Sequence, residues 1–268
     1  MVSFRGASAE AMATLTDRVG GVAEGSAATV AGDLFAAAAS FRSEGTLRRF
    51  ATDQSVAAQA REGVVRDVFA GKVDPAALEV VATAAGQRWT RVRDLADALE
   101  ELGVVAAVRS VGLQASTLVD ELFGVRQLVT ANSDLRNALS DPTRSVADKA
   151  GLVESLLAGK TLPATVQLTR QALSGSYRTV VAALEDYERT AAQVNGEGVA
   201  TVHAARPLDP AVQQRLTTAL SRQYGRPVHL NIVVDPTVVG GLRVEIGDDV
   251  IDGTVSSRLD DARRKIAG

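Results

Sequence analysis

The chain contains no cysteine and only two histidines among its 268 residues. The lack of cysteine excludes a disulfide framework, a thiolate metal site and a cysteine nucleophile. His203 and His229 both fall in segments that alternate like β-strands, so they cannot form the paired-histidine helix of a zinc enzyme. A Ser/His/Asp triad would depend on one of these two side chains.

Aromatic residues are also scarce, at 4% of the chain, although the apolar fraction is 46%. The core must therefore be built mostly from Ala, Val and Leu. Small side chains let helices approach closely, and alanine has the highest helix propensity of all residues. This composition predicts a helix-rich protein, and a charged fraction of 23% is typical of a globular one.

Neither sign of charge dominates, since 29 basic and 32 acidic residues leave a formal charge of -3. The chain lacks the basic field that gathers nucleic acid, and we expect no nucleic-acid partner. No apolar run approaches the roughly 18 residues of a membrane-spanning helix, and Met1 to Gly6 shows no signal-peptide pattern. We expect no direct membrane insertion, and a chain that is cytosolic or held at a membrane by its partners.

The sequence resembles itself when it is shifted by 88 positions. The matched pairs include Leu34 with Leu122, Asp53 with Asp141, Gly63 with Gly151, Lys72 with Lys160, Pro75 with Pro163 and Trp89 with Tyr177. Alanine bias alone would not place Gly, Pro, Asp and Lys in one register, so we interpret the pattern as a diverged duplication. It predicts two helical-bundle repeats, in residues 1–97 and 98–195.

Short helices joined by tight turns are predicted in both repeats. Asp74–Pro75 is a helix start, because Asp accepts hydrogen bonds from free amides and Pro presets the first turn. A second helix is predicted to run from Ser145 to a stop at Gly159. Residues 91–111 contain no proline and one glycine, so the last helix of the first repeat is expected to continue into the first helix of the second.

The hydrophobic period changes from helical to alternating after residues 195–198, Asn-Gly-Glu-Gly. The alternation predicts four strands, at 199–204, 228–234, 242–246 and 250–255. A helix is predicted to open at Asp209–Pro210, between the first two strands. A last helix is predicted to carry Val255, Leu259, Ala262 and Ile266 on one face. Residues 196–268 are thus predicted to form a small α/β domain of order β-α-β-β-β-α, and the whole chain is predicted to be α+β.

No motif completes a catalytic site. Residues 158–161, Ala-Gly-Lys-Thr, end like a phosphate-binding loop, but Glu154 stands where that loop needs its first glycine, so a helix stop is favoured. Residues 173–178 lack the closing glycine of a nucleophile elbow. Asp248, Asp249 and Asp252 fit no calcium loop, and two of the three lie in a predicted hairpin turn, where Asp is common. We therefore expect no enzyme activity, no cofactor, no metal and no small-molecule substrate.

One long segment carries a specific resemblance. Residues 233–255, Val-Val-Asp-Pro-Thr-Val-Val-Gly-Gly-Leu-Arg-Val-Glu-Ile-Gly-Asp-Asp-Val-Ile-Asp-Gly-Thr-Val, closely resemble the C-terminal signature of the delta subunit of F-type ATP synthases, the bacterial counterpart of the mitochondrial oligomycin-sensitivity-conferring protein. The signature residues, which we expect to be structural, are Asp235, Gly240, Gly241, Gly247, Asp252 and Gly253. The resemblance extends through residues 132–160 and covers about residues 98–268, so this chain resembles an extended form with a duplicated helical region.

The resemblance implies a non-catalytic stator subunit of the peripheral stalk, which couples proton flow to ATP synthesis. Its helical domain would bind the N-termini of the alpha subunits and its C-terminal domain the b-type stalk subunit, peripherally, at the cytoplasmic face of the bacterial cell membrane. By position the second repeat is the head-binding bundle, whose first and fifth helices would form a groove. The candidate contact residues are Val105, Val108, Val166 and Leu173. The first repeat is expected to pack end-on against the second and to extend the stalk contacts.

The alternative hypothesis is a helical scaffold or adaptor protein unrelated to ATP synthase. The same folds could serve such a protein, because a fold alone does not fix a function. Co-purification with alpha and b-type chains would distinguish the two readings.

Overall fold

A computed structural model describes residues 4–247 and 249–255 of the chain. It divides into two compact units, residues 1–191 and residues 192–268. Within the described residues the first unit is helical and the second combines one α-helix with a four-stranded sheet. The predicted α+β class is confirmed.

From residue 4 onward the first unit contains eleven α-helices, the last of which, α11, ends just beyond the unit. The helices of its first half are α1 (Ala7–Gly20), α2 (Glu24–Ser43), α3 (Gly45–Thr52), α4 (Ala58–Phe69), α5 (Pro75–Gly86) and α6 (Asp94–Arg109). A 3₁₀ turn at Gly112–Gln114 leads to α7 (Ala115–Ala131), α8 (Ser133–Ser140), α9 (Val146–Leu157), α10 (Pro163–Gln171) and α11 (Val180–Val194).

Two helices begin where the sequence predicted a helix start, and each start has a side-chain cap. The Asp74 carboxylate accepts from the Ala76 amide at 2.8 Å, ahead of Pro75 at the first position of α5. The Ser145 hydroxyl accepts from the Asp148 amide at 3.0 Å and opens α9. Each cap satisfies one of the four amides that a helix start leaves without an intrahelical partner.

Helix bounds recur at an offset of 88 residues. Gly45–Thr52 and Ser133–Ser140 are 88 residues apart at both ends, as are Ala58–Phe69 and Val146–Leu157. Two helices also begin at prolines separated by that offset, α5 and α10. In the same register, α6 is both the counterpart of α1 and the counterpart of α11.

Helix α6 is the centre of the first unit, because nearly every one of its side chains is buried. Helix α2 runs along one side of it. A Cβ added to Gly103 of α6 would lie only 2.5 Å from Cε1 of the Phe35 ring of α2. Arg42 of α2 contacts Asp97 of α6 at 3.2 Å. Helix α2 therefore packs along α6, and the expected division after residue 97 falls in the first turn of α6.

The second unit orders its strands β2-β1-β3-β4. Strand β1 (Gly198–Ala204) pairs in parallel with β2 (Val228–Val234), and α12 (Pro210–Tyr224) joins them. Strand β3 (Leu242–Ile246) pairs antiparallel with β1 and with β4 (Asp249–Asp252). The core between sheet and helix consists of Ala200, Val202, Leu220, Val228, Val244 and Ile246. The predicted order of elements is confirmed through β4.

Three details of the second unit differ from the sequence reading or lie outside it. Strand β4 ends at Asp252, three residues before the predicted end. Asn231 of β2 is 1% exposed, although it alternates with the apolar residues Val228, Leu230 and Ile232 of the predicted strand. The predicted last helix, with Leu259, Ala262 and Ile266, lies outside the described residues.

Among the described helices, no single one is long and apolar enough to cross a membrane. Only the pair formed by α6 and residues 112–131 reaches the required length and composition, and it bends by 106° at its break.

Candidate functional site

A groove of about 610 Å³ opens on the helical unit between α2, α9 and α10. Its apolar lining includes Phe35 from α2, Val146 and Ala150 from α9, and Val166 from α10. Val146 is 50% exposed, so an apolar surface is open to solvent there. A groove with apolar walls on neighbouring helices suits an amphipathic helix, which lays its apolar face between them.

The wall formed by α2 depends on a glycine. Gly32 lines the groove in the middle of α2, and the atom nearest to an added Cβ is Nε2 of Gln167, at 3.4 Å. The same Nε2 atom donates to the backbone carbonyl of Ala28 at 3.1 Å, which ties α10 to α2. The first half of the chain therefore supplies one wall of the groove and the second half supplies the other.

Charge in the groove is balanced. Its lining contains one acid, Glu154 on α9, and one base, Arg170 on α10, and their side chains approach to 3.8 Å. Both are more than half exposed, so this ion pair contributes little to stability. The groove offers no excess charge to a phosphate or a metal ion.

The four candidate contact residues are in different surroundings. Val105 and Val108, on α6, are buried at 8% and 1% exposure. Val166 and Leu173 are partly exposed, and Val166 lines the groove. No residue of α6 lines the groove, and α2 forms the wall opposite α10.

A buried polar network, which sequence reasoning missed, lies behind the groove. Glu100 of α6 is 2% exposed and accepts hydrogen bonds from the Tyr187 hydroxyl at 2.8 Å and from the Ser176 amide at 3.0 Å. The Arg42 guanidinium of α2 completes its partners. Gly175 is required beside it, because a Cβ there would collide with the Glu100 carboxylate. The network joins α2, α6 and α11, which are far apart in sequence.

Two tyrosines of the network pack edge to face, with ring centroids 5.6 Å apart. The Tyr177 hydroxyl donates to Asp186, and burial followed by that hydrogen bond raises the pKa of Tyr177. Burial raises the pKa of Tyr187 well above its ordinary value, with the Glu100 charge adding to the effect. Both hydroxyls therefore remain donors, and neither is suited to act as a base.

The signature residues build the turns of the second unit. The Asp235 carboxylate accepts from the amide and hydroxyl of Thr237, at 2.9 and 2.7 Å, and these bonds lower its pKa. Asp252 accepts from the Thr254 amide at 2.9 Å, which lowers its pKa in the same way. Both carboxylates are occupied in local turns.

The backbone conformation explains why glycine occupies several signature positions. Gly240, Gly241 and Gly247 adopt φ of 67°, 79° and 59°, a region that glycine enters without strain. A Cβ on Gly241 would also lie 2.8 Å from Cα of Thr254 and closer still to the carbonyl oxygen of Gly253. The amide of Gly253 donates to Leu242 at 2.9 Å.

The rejected motifs have structural roles within the described chain. Gly159 holds a φ of 73° and follows α9, and the Lys160 ammonium donates back to the Leu156 carbonyl at 3.0 Å. His203 in β1 lies 3.9 Å from Glu245, and His229 in β2 lies 3.9 Å from Glu197. The two histidines are thus on separate strands and contact different glutamates. The described residues include no group of three or more His, Asp or Glu that could hold a metal ion.

Comparison with known proteins gives a consistent result. The family model described as ATP synthase delta (OSCP) subunit matches residues 105–266. A Nocardioides protein named ATP synthase subunit delta is 56% identical over 99% of this chain and 98% of its own length. Proteins of the same name from Kineococcus radiotolerans and Streptomyces avermitilis are 46% and 39% identical, over 92% and 99% of this chain and 91% and 100% of their own lengths.

Among solved structures, a chain of the Toxoplasma gondii mitochondrial ATP synthase hexamer aligns with 62% of this chain and 96% of its own length. That alignment has 23% identity and a TM-score of 0.33. The relatives from Nocardioides and Streptomyces, by contrast, align over the whole chain, so the first hundred residues have counterparts in those proteins.

Proposed function

The chain belongs to the ATP synthase delta (OSCP) family, and on that premise we propose that it is a non-catalytic stator subunit of an F-type ATP synthase. It would link the catalytic head to the b-type stalk subunit and so hold the head still while the rotor turns. The observation that carries this proposal is the 56% identity to a protein named ATP synthase subunit delta, which extends over 99% of the chain.

The helical unit would bind the head. We assign the groove between α2, α9 and α10 to the N-terminal helices of the alpha subunits, because it has apolar walls, a neutral lining and a glycine in one wall that permits close approach. Val166 and Leu173 keep their proposed role as contacts, whereas the burial of Val105 and Val108 argues that they act through packing.

The second unit would bind the b-type stalk subunit. Support comes from its exposed apolar residues, which include Val239 at 66%, Val250 at 55% and Ile251 at 40% exposure. Two separate contact surfaces on one chain would add their binding free energies through linkage, so neither needs to be very tight. In this arrangement the protein is peripheral, at the cytoplasmic face of the cell membrane, and carries no cofactor, metal or substrate of its own.

Co-purification tests this assignment. The chain, tagged at its native locus, would be purified from membranes solubilised in a mild detergent, and co-purifying chains would be identified by mass spectrometry. The proposal predicts that alpha and b-type chains co-purify in near-stoichiometric amounts. In a control strain that expresses the tag without this chain, neither should be recovered. Recovery of the chain free of both partners would contradict the proposal.

A further inference from the structure

Four exposed arginines lie in two segments that meet at the start of α6, and we name them the arginine patch. They are Arg5, ahead of α1, and Arg88, Arg91 and Arg93, in the loop that joins α5 to α6. The Thr90 hydroxyl donates to the backbone carbonyl of Arg5 at 2.8 Å, which holds the two segments together. The patch therefore gathers positive charge from distant parts of the chain.

Buried groups hold this loop in place. The Trp89 indole is 8% exposed and donates to the Ala84 carbonyl at 2.9 Å. The buried Asp94 carboxylate accepts from the Ser8 hydroxyl at 2.8 Å and from the Arg91 amide at 3.2 Å. These bonds use the backbone and the buried side chains, so the guanidinium groups face solvent on a backbone that is already ordered. A partner would not have to order it on binding.

No described residue forms an ion pair with a guanidinium group of the patch or accepts a hydrogen bond from one. Arg93 is within electrostatic range of Asp97, but the Asp97 carboxylate already contacts Arg42 at 3.2 Å. Several other arginines of the helical unit do pair with carboxylates, namely Arg42, Arg66, Arg126, Arg144, Arg170 and Arg189. The patch is thus unneutralised positive charge on a chain of net negative charge.

The second repeat shows that the fold does not need these charges. Its corresponding loop, between α10 and α11, has Tyr177 in place of Trp89 and none of the three arginines. The residues that stand 88 positions after Arg88, Arg91 and Arg93 are Ser176, Thr179 and Val181. Since that loop is built without them, the arginines of the first repeat serve something other than folding.

We propose that the arginine patch binds an acidic segment of a protein partner. A guanidinium group can bind a carboxylate through two parallel hydrogen bonds, a geometry that Arg provides and Lys does not. Val92, between two of the arginines, is 46% exposed and offers an apolar contact. The patch thus fits a segment that carries several carboxylates around an apolar residue. It shares no residue with the groove and is independent of the proposed function.

The observations favour a protein segment over an anionic membrane. The chain carries a formal charge of -3, so an extended anionic surface that reached the patch would be repelled by the rest of the chain. A short acidic segment meets only the arginines. The patch also lies on a loop, whereas basic clusters that recognise anionic lipids are carried on amphipathic helices or beside membrane spans.

Photo-crosslinking in cells identifies what the patch contacts. Val92 of the full chain would be replaced by the photoreactive residue p-benzoyl-phenylalanine, at the native locus. After irradiation the tagged chain is purified and its crosslinked peptides are identified by mass spectrometry. The proposal predicts crosslinks to one protein segment of net negative charge. Crosslinks to lipid, crosslinks to segments without net negative charge, or the absence of crosslinks would each overturn it.

A variant built from the second repeat tests the role of the charges. The combined substitutions R88S, R91T and R93V introduce residues that the corresponding loop already carries, so the fold should persist. The crosslink yield should fall at least roughly tenfold, because three charge-assisted contacts are lost. R178T removes an exposed arginine from the loop of the second repeat and should crosslink like the parent chain.

An undiminished yield from the combined variant would overturn the proposal, and circular dichroism would establish that the variant is folded. A synthetic peptide of the crosslinked segment gives a second measurement. Its affinity for the wild-type chain, by fluorescence anisotropy, should fall as salt is raised, because exposed charges are screened. An affinity that does not change with salt would also overturn the proposal.

Discussion

Gly71 and Gly159, 88 residues apart, follow the ends of α4 and α9 with the same left-handed backbone, at φ of 70° and 73°. Together with the matching bounds of α3 and α8 and of α4 and α9, this correspondence supports a duplication in which α6 belongs to both copies. Nearly every side chain of α6 is buried, as expected for a helix that two copies would share.

Alanine at either glycine should destabilise the helical unit by about 1 kcal/mol, because a Cβ is strained at positive φ. No atom lies within 4 Å of the added Cβ in either case, so the cost is the backbone strain alone. Urea unfolding followed by circular dichroism at 222 nm would measure the effect.

Matched controls come from the same two helices. Gly63 in α4 and Gly151 in α9 also have open space around an added Cβ, but their backbone is helical. Alanine at these positions should stabilise the unit by about 0.5–1 kcal/mol. If all four substitutions had the same sign, the assigned backbone conformations would be wrong.

The substitution E100Q should destabilise the helical unit by about 3 kcal/mol, because it breaks a buried ion pair and leaves Arg42 without its main partner. Tyr187→Phe should cost about half of that, since it removes one hydrogen bond to a charged group. Thermal and urea unfolding would rank the two variants. An unchanged stability of E100Q would show that the network does not join the two halves.

Gly241→Ala should destabilise the second unit by more than about 2 kcal/mol, since it combines strain at a φ of 79° with a collision against Gly253 and Thr254. Gly225→Ala, also at positive φ but with no atom within 4 Å, should cost only about 1 kcal/mol. Proteolytic susceptibility of the second unit would separate the two, and equal susceptibility would rule out the collision.

Filling the groove should weaken binding to the head. Gly32→Leu places a side chain between α2 and α10, where only the movable end of Gln167 is near, so the fold should persist. The affinity for a peptide covering the N-terminal helix of the alpha subunit should fall at least about tenfold, or 1.4 kcal/mol, by fluorescence anisotropy. Gly25→Leu, at an exposed position of α2 away from the groove, should bind like the wild type. Equal affinities would remove the groove from the interface.

Features encoded by near neighbours in the sequence were predictable. The caps at Asp74 and Ser145 depend on amides two or three residues away, and the alternation in β1 depends on a period of two. The turn chemistry of the signature is equally local, since Asp235 binds Thr237. Such features could be predicted because the physical cause lies within one turn or one strand.

Contacts between distant segments could not be predicted. Val105 and Val108 were named as candidate contacts from their position in the chain, and the structure buries them, at 8% and 1% exposure. The ion pair between Arg42 and Glu100 joins residues 58 positions apart, and nothing in the sequence near either residue indicates its partner. The groove wall at Gly32 was missed for the same reason: a glycine in an alanine-rich helix shows no periodic signal.

The central claim is that this chain couples the catalytic head to the membrane. Its most direct test uses membranes that carry the ATP synthase, stripped of the head and depleted of this protein, to which the head is returned with or without the purified chain. The account predicts that ATP-driven proton pumping returns only when the chain is present. Pumping of equal rate and extent without the chain would contradict it.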